Sequence, residues 1–311
     1  MSSFWVFPGQ GAQQPGMLRQ LADEPSIRDC LSEASDVLGE DVLLLDSAQA
    51  LQSTRAVQLC LLIAGVATAG LLRERGCTAD LVAGLSIGAY PAAVIAGSLA
   101  FGDAVRLVAL RGELMQNAYP EGYGMTAIVG LDQVAVEALV AQVHSPATPV
   151  FLANINAENQ FVIAGSVAAM AEAARLAKAA GAATVKRLAV SVPSHCALLE
   201  QPAKTLAAAF ANVPLQSPVV RYLSGSTARP MLSADKLRDD LAFNMCRVID
   251  WRSTLQTAYE RGARLHIEFP PGTVLTGLAR KVFEQGTVVA FQGARLDSLI
   301  ALSREEGSRT L

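Results

Sequence analysis

Charge is scarce in this chain, histidine is scarcer, and no cysteines are spaced to share a metal. Only 17% of the 311 residues are Asp, Glu, Lys or Arg, against 51% hydrophobic. That balance excludes a disordered chain and suffices for one large domain with an insertion, or for two domains. A formal net charge of −3 excludes a strongly basic nucleic-acid binder. Five cysteines, at 30, 60, 77, 196 and 246, include no Cys-x-x-Cys. This spacing argues for free thiols in a reducing cytoplasm and against zinc, so no metal and no bound cofactor are expected. No uncharged apolar run approaches the ~20 residues of a membrane span. The richest stretch, Leu59 to Leu72, reads as a buried helix. Met1-Ser2-Ser3-Phe4 has no basic region ahead of its apolar residues, which argues against a signal peptide. The expectation is a cytoplasmic protein with no membrane and no nucleic-acid partner.

What is present is a regular alternation of strands and helices. A strand at Phe4–Phe7 runs into Pro8-Gly9-Gln10-Gly11, a loop suited to close backbone approach. Helices are expected at 16–22, 26–38 and 54–75, then strand 81–83, helix 89–96 and helix 102–118. Pro120-Glu121-Gly122-Tyr123-Gly124 breaks the pattern. Beyond it the order becomes strand 125–130, helix 133–143, strand 150–154, strand 160–164, helix 167–180, strand 184–188. That βαββαβ run is the split-βαβ, ferredoxin-like arrangement. The α/β order then resumes with helix 197–212, strand 219–224, helices 233–244 and 251–260, strand 265–269 and helix 274–283. The expected fold class is α/β: an α/β-hydrolase-like large domain in two segments, 1–122 and 191–311. A ferredoxin-like subdomain, 123–190, is inserted between them.

The sharpest chemical signal is Gly84-Leu85-Ser86-Ile87-Gly88, between an apolar strand and a small-residue helix. Strand, glycine-flanked serine and helix make a nucleophile elbow, in which a turn too tight for side chains lifts the serine hydroxyl over the sheet edge. A serine needs a base and an oxyanion site. Three histidines make the search for the base short. His144 ends a helix and reads as solvated, and His266 alternates inside a strand and reads as structural. His195, in Val192-Pro193-Ser194-His195-Cys196 where the chain re-enters the large domain, is left as the base. Arg111 lies mid-helix with Leu107, Val108, Leu114 and Met115 three and four residues away. A cation in an apolar stripe needs a partner. Either a buried ion pair or a snorkelling stem accounts for it, or it awaits an anionic substrate group that its fork can grip bidentately. Arg106 reads as solvated. The backbone amides of Gln10 and Ile87 are placed for an oxyanion hole. A hydrolase triad would want an acid at a core strand end between Ser86 and His195. Asp103, Glu113, Asp132, Glu137, Glu158 and Glu172 all fall elsewhere, which favours a Ser–His dyad acting on an already activated thioester.

Five segments together resemble the malonyl-CoA:acyl carrier protein transacylases over nearly the whole chain. They are Phe7-Pro8-Gly9-Gln10-Gly11-Ala12-Gln13, Gly84 to Gly88, Leu110-Arg111-Gly112-Glu113-Leu114-Met115, Ser191 to Cys196, and Phe269-Pro270-Pro271-Gly272-Thr273-Val274-Leu275. The resemblance implies that Ser86 carries the acyl group and that His195 is base and then acid. It implies further that Arg111 binds the malonyl carboxylate, that the amides of Gln10 and Ile87 hold the oxyanion, and that the side-chain amide of Asn244 orients His195. Malonyl-CoA and a carrier-protein thiol of phosphopantetheine type would be the substrates, with an acyl carrier protein as partner. Two features depart from the family: Leu85 replaces its usual histidine and Ala89 its frequent glutamate; Pro91, inside the elbow helix, is expected to delete the bond to the Ile87 carbonyl and kink it locally. Leu51-Gln52-Ser53-Thr54, Gly122-Tyr123-Gly124-Met125 and Tyr222-Leu223-Ser224 resemble most the epsilon subunit of malonate decarboxylase. That branch primes a dedicated carrier bearing a phosphoribosyl-dephospho-CoA thiol. The fatty-acid-synthesis malonyl transacylase is the alternative, and a serine hydrolase, a thioesterase or a non-catalytic scaffold subunit the readings from other classes. Lys178, Lys186 and Arg187 are the candidate carrier-docking charges.

Overall fold

In the first strand Phe4 and Val6 pack on one side and Trp5 and Phe7 on the other, and all four are fully buried. A strand apolar on both faces belongs in the middle of a sheet covered by helices on each side. The computed structural model, which describes residues 2–308 and side chains through 305, has that architecture. The chain opens with β1 (Ser2–Phe7), α1 (Pro25–Leu38), α2 (Thr54–Glu74), β2 (Leu81–Gly84), α3 (Ala89–Ile95) and α4 (Phe101–Ala118). Next come β3 (Tyr123–Val129), α5 (Gln133–Val143), β4 (Val150–Ala157), β5 (Gln160–Ser166), α6 (Val167–Ala179) and β6 (Thr184–Arg187). The remainder begins with α7 (Glu200–Ala209), β7 (Arg221–Leu223), β8 (Pro230–Met231), α8 (Ala234–Phe243) and β9 (Ile249–Asp250). It ends with α9 (Trp251–Glu260), β10 (Ala263–Glu268), α10 (Val274–Ala279), β11 (Thr287–Ala290) and α11 (Leu296–Ser308).

The larger sheet has the order β11-β10-β1-β2-β7-β8, parallel except for the β7–β8 hairpin pairing. One core lies between Trp5, Phe7, Val82, Tyr222 and Ile267 and the helices around α2 and α4; the other joins Phe4, Val6 and Leu223 to α9 and α10. Four strands of the smaller sheet run antiparallel in the order β6-β3-β5-β4, with α5 and α6 on one face. This is the ferredoxin-like order that the βαββαβ run predicts. Its two helices start at side-chain caps, Asp132 and Ser166, each accepting a backbone N–H three residues on. The fifth strand of this sheet, β9, belongs to the later segment and pairs parallel with β4, so a ladder ties the smaller sheet to that segment.

Three local expectations change. Residues 16–22 form turns and no helix, because the carboxylate of buried Asp46 takes the N–H groups of Leu18 and Arg19, and Gly16 has φ +76°. Helix α2, at 21 residues, is long and apolar enough by length and composition to cross a membrane, which the run Leu59–Leu72 alone did not suggest. Its most apolar window is 83% buried within the fold, as a core helix requires. Pro91 breaks nothing: the elbow begins as a single 3-10 turn, Ser86–Gly88, and the α-helix starts only at Ala89. Pro91 therefore falls in the first turn, where an N–H is not needed, and its ring packs against Gly65, its Cβ 3.1 Å from where a Cβ on that glycine would stand.

Candidate active site

The elbow is built by two glycines that tolerate nothing larger. A Cβ on Gly84 would stand 1.8 Å from the Gly88 carbonyl carbon, and one on Gly88 would stand 2.2 Å from the Phe7 carbonyl oxygen. Ser86 between them has φ +56°, a left-handed conformation that L residues rarely hold without compensation. The close contact with Phe7 and Pro8 also brings the loop after β1, with Gln10, against the helix start that carries Ile87. Leu85 completes this junction. Its N–H donates to the Phe7 carbonyl at 3.0 Å, and its side chain occupies the space where a Cβ on Gly9 would lie.

His195, itself at φ +63°, meets the serine from the segment that leads into α7. Its Nε2 is 2.9 Å from Ser86 Oγ, and its Nδ1 is 2.7 Å from the main-chain carbonyl of Asn244. A carbonyl only accepts, so Nδ1 carries the hydrogen and Nε2 is free to take the serine proton. Here the expected role of Asn244 changes. Its backbone, not its amide, orients the ring. The side chain faces the other way: Oδ1 accepts from Arg111 Nη2 at 3.0 Å and Nδ2 donates to the Ser86 carbonyl at 3.3 Å. The acids weighed as triad members stand elsewhere: Asp103, Glu113 and Glu172 pair with arginines, and Asp132 caps α5.

Arg111 is fully buried, and among the described residues no carboxylate lies within ion-pair distance of it. Its partners are neutral: Gln58 Oε1 at 2.6 Å, Asn244 Oδ1 at 3.0 Å and Ser86 Oγ at 3.3 Å. Neither an ion pair nor a snorkelling stem describes it. Burial lowers its pKa to about 10, so it stays charged at neutral pH. Burial first, and the Arg111 charge second, push His195 down to about 4, leaving a neutral imidazole able to accept a proton at pH 7. Gln58 was not anticipated from the sequence. It is a polar residue inside a long, largely buried apolar helix, the same signal that singled out Arg111.

The other histidines lie apart. His144 is exposed with Nδ1 2.9 Å from the Val150 carbonyl, and buried His266 packs edge-on to Phe4 and Phe283. Arg106 pairs with Asp103 at the surface. Lys178, Lys186 and Arg187 are exposed, the last two on the edge strand β6.

A covered α/β sheet with a serine elbow, a neutral histidine against it and an unneutralised arginine is the layout of a serine-dependent acyl-transfer enzyme. A family model for the acyl transferase domain matches residues 4–308, and the chain belongs to that family and is an acyltransferase. It is 39% identical over 284 residues to a malonyl CoA-acyl carrier protein transacylase of Haemophilus influenzae, covering 89% of this chain and 91% of that one. The corresponding Escherichia coli K12 protein is 38% identical over 297 residues, 92% and 94% of the two chains. Among solved structures, FabD from Acinetobacter baumannii superposes with a TM-score of 0.91 at 34% identity, covering 98% and 99%. A malonyl-transacylase in complex with a type II polyketide acyl-carrier protein gives 0.91 at 37% identity, covering 98% and 100%. The α/β-hydrolase-like and ferredoxin-like architecture is that of these structures. None of these relatives is a malonate decarboxylase subunit, and they fit the alternative reading better.

Proposed function

We propose that this acyltransferase moves a malonyl group from CoA to the thiol of an acyl carrier protein through an ester on Ser86. The observation that carries the reading is Arg111, a buried guanidinium without a counter-ion 3.3 Å from Ser86 Oγ. An acyl group ending in a carboxylate supplies that counter-ion and is clamped with its thioester carbon beside the serine. In the first half-reaction Ser86 Oγ gives its proton to His195 Nε2 and attacks the thioester carbonyl. The amides of Gln10 and Ile87 receive the developing oxyanion. The C–S bond then breaks, and His195 returns the proton to the departing CoA sulfur. In the second half-reaction the carrier thiol gives its proton to His195 and attacks the ester, and Ser86 Oγ leaves as the hydroxyl. Transfer to acyl carrier protein is what the names of the relatives support. The five free thiols support a reducing cytoplasm as the place of work.

Intact-protein mass spectrometry after mixing with malonyl-CoA tests this reading. The expected result is a persistent gain of one malonyl unit, absent in Ser86→Ala and discharged by a carrier thiol. Rapid release of free malonate with no retained adduct would refute transfer and leave a hydrolase. A dedicated carrier of the malonate decarboxylase kind is the second reading, favoured by the three segments quoted above. Discharge of malonyl-Ser86 by a carrier bearing phosphoribosyl-dephospho-CoA, but not by one bearing phosphopantetheine, would select it.

A further inference from the structure

Asp240 is a buried carboxylate that the chemistry at Ser86 leaves unused. It is 4% exposed, and among the described residues no Lys or Arg lies within ion-pair distance of it. Burial pushes its pKa up. It also stands in the last turn of α8, where the helix dipole disfavours a negative charge. Two costs at one position call for compensating contacts.

Those contacts are two hydroxyls at the strand beside the elbow strand. Tyr222 Oη donates to Asp240 Oδ2 at 2.9 Å, and Ser224 Oγ donates to Oδ1 at 2.5 Å. Tyr222, on β7, pairs with Val82 of β2, two residues before Gly84. Ser224 Oγ is itself held, accepting the N–H groups of Ser226 and Thr227 at 3.2 and 3.1 Å. Asp240 therefore pins the last turn of α8 to the sheet beside the elbow. That turn leads directly into the groups that hold the base. The Asp240 carbonyl accepts the N–H of Asn244. The Asn244 carbonyl meets His195 Nδ1, and the Met245 carbonyl accepts the His195 N–H, both at 2.7 Å. Between them the Leu241 carbonyl accepts Tyr90 Oη, from the elbow helix, at 3.0 Å.

We propose that Asp240 is a positioning residue: through Tyr222 and Ser224 it fixes the end of α8, so that the Asn244 carbonyl stays on Nδ1 and selects the tautomer whose Nε2 can take the Ser86 proton. The inference rests on Ser86 and His195 being the reacting pair, and is independent of the acyl group they move. A main-chain carbonyl faces the ring only as accurately as its helix is placed. The carboxylate that a triad sets against Nδ1 works here one helical turn back, holding the carbonyl that stands in its place.

The test reads the ring and the serine separately. Nitrogen NMR of protein labelled in its histidines, assigned with His195→Gln, gives the tautomer. The rate of Ser86 modification by an uncharged sulfonyl fluoride at neutral pH, followed by intact mass, gives the reactivity. For Asp240→Leu the expected result is a mixture of tautomers and a roughly tenfold or greater loss of rate. Asp240→Asn, whose amide can accept from Ser224 and donate to the Tyr222 oxygen, should restore both. A folded Asp240→Leu with wild-type tautomer and rate would overturn the proposal. So would a change in one readout without the other, or an Asp240→Asn variant as impaired as Asp240→Leu. If Asp240→Leu does not fold, Tyr222→Phe combined with Ser224→Ala removes the two donors and is read in the same way. A wild-type protein that shows the Nδ1–H tautomer yet resists the sulfonyl fluoride would instead sink the Ser86–His195 pair itself.

Discussion

Replacing Arg111 with methionine removes a positive charge from beside His195 while keeping the apolar stripe of α4 filled. Catalysis needs the neutral ring, so activity is present above the histidine pKa and lost as pH falls through it. In the wild-type protein that value is about 4 against an ordinary 6.5, with burial the larger cause and Arg111 the next. Arg111→Met deletes the second cause only, so the acid limb moves up from about 4 but stays short of 6.5. The pH dependence of Ser86 inactivation by an uncharged sulfonyl fluoride reads this limb without involving the malonyl carboxylate. Two further magnitudes separate chemistry from folding. Losing a desolvated guanidinium–carboxylate contact costs about 3–5 kcal/mol, some hundredfold to several thousandfold in kcat/KM for malonyl-CoA. Stability should change little. An arginine whose pKa falls from 12.5 to about 10 carries roughly 3 kcal/mol of burial cost. Its removal orphans two acceptors, Gln58 Oε1 and Asn244 Oδ1, at about 1–3 kcal/mol each, and the opposing contributions nearly cancel. An acid limb that stays put or moves down would refute the electrostatic coupling. Malonyl-CoA activity equal to wild type would refute the carboxylate role.

The remaining predictions concern the framework. Gly88→Ala should cost more than about 3 kcal/mol in urea unfolding, because its Cβ would meet the backbone oxygen of Phe7 at 2.2 Å and backbone cannot step aside as a side chain can; a soluble variant of wild-type stability would show that the elbow is looser than described. His266 should make the protein acid-sensitive. Burial pushes its pKa down to about 3, so between 6.5 and 3 the unfolded chain binds a proton that the folded chain refuses, and stability falls with pH. His266→Phe should retain roughly 2 kcal/mol more stability than wild type on going from about pH 7 to pH 5, and parallel pH curves for the two proteins would exclude it.

Much of the site was legible because its signals are local. The elbow needs five consecutive residues, and Arg111 betrays itself by its place in an apolar stripe. The ferredoxin-like order was readable from the βαββαβ succession of strands and helices between 125 and 188. What escaped depends on contacts between distant segments. Asp46 diverts two amides of a stretch that reads as helical by itself. A two-residue strand such as β9 has no periodicity to detect, yet it ties the smaller sheet to the later segment of the chain. β11 and α11 close the large sheet beyond the last helix read from the sequence. Asn244 is the clearest case: a sequence records side chains, and here the atom that holds His195 is a main-chain oxygen.

That oxygen also bears on how long the acylated protein can wait. A carbonyl dipole steers the imidazole but cannot neutralise it as a carboxylate would, so the ring remains a reluctant proton acceptor. Such a base discriminates by the acidity of what attacks. A thiol, with a pKa near ~8.5, surrenders its proton far more readily than water, at ~15.7. Hydrolysis demands of His195 a proton abstraction it performs poorly, whereas a pantetheine thiol arrives partway there. On the proposed mechanism an ester on Ser86 can then persist until its collector docks, because a free water brings neither the acidity of a thiol nor the fixed place against Nε2 that the Ser86 hydroxyl has at 2.9 Å.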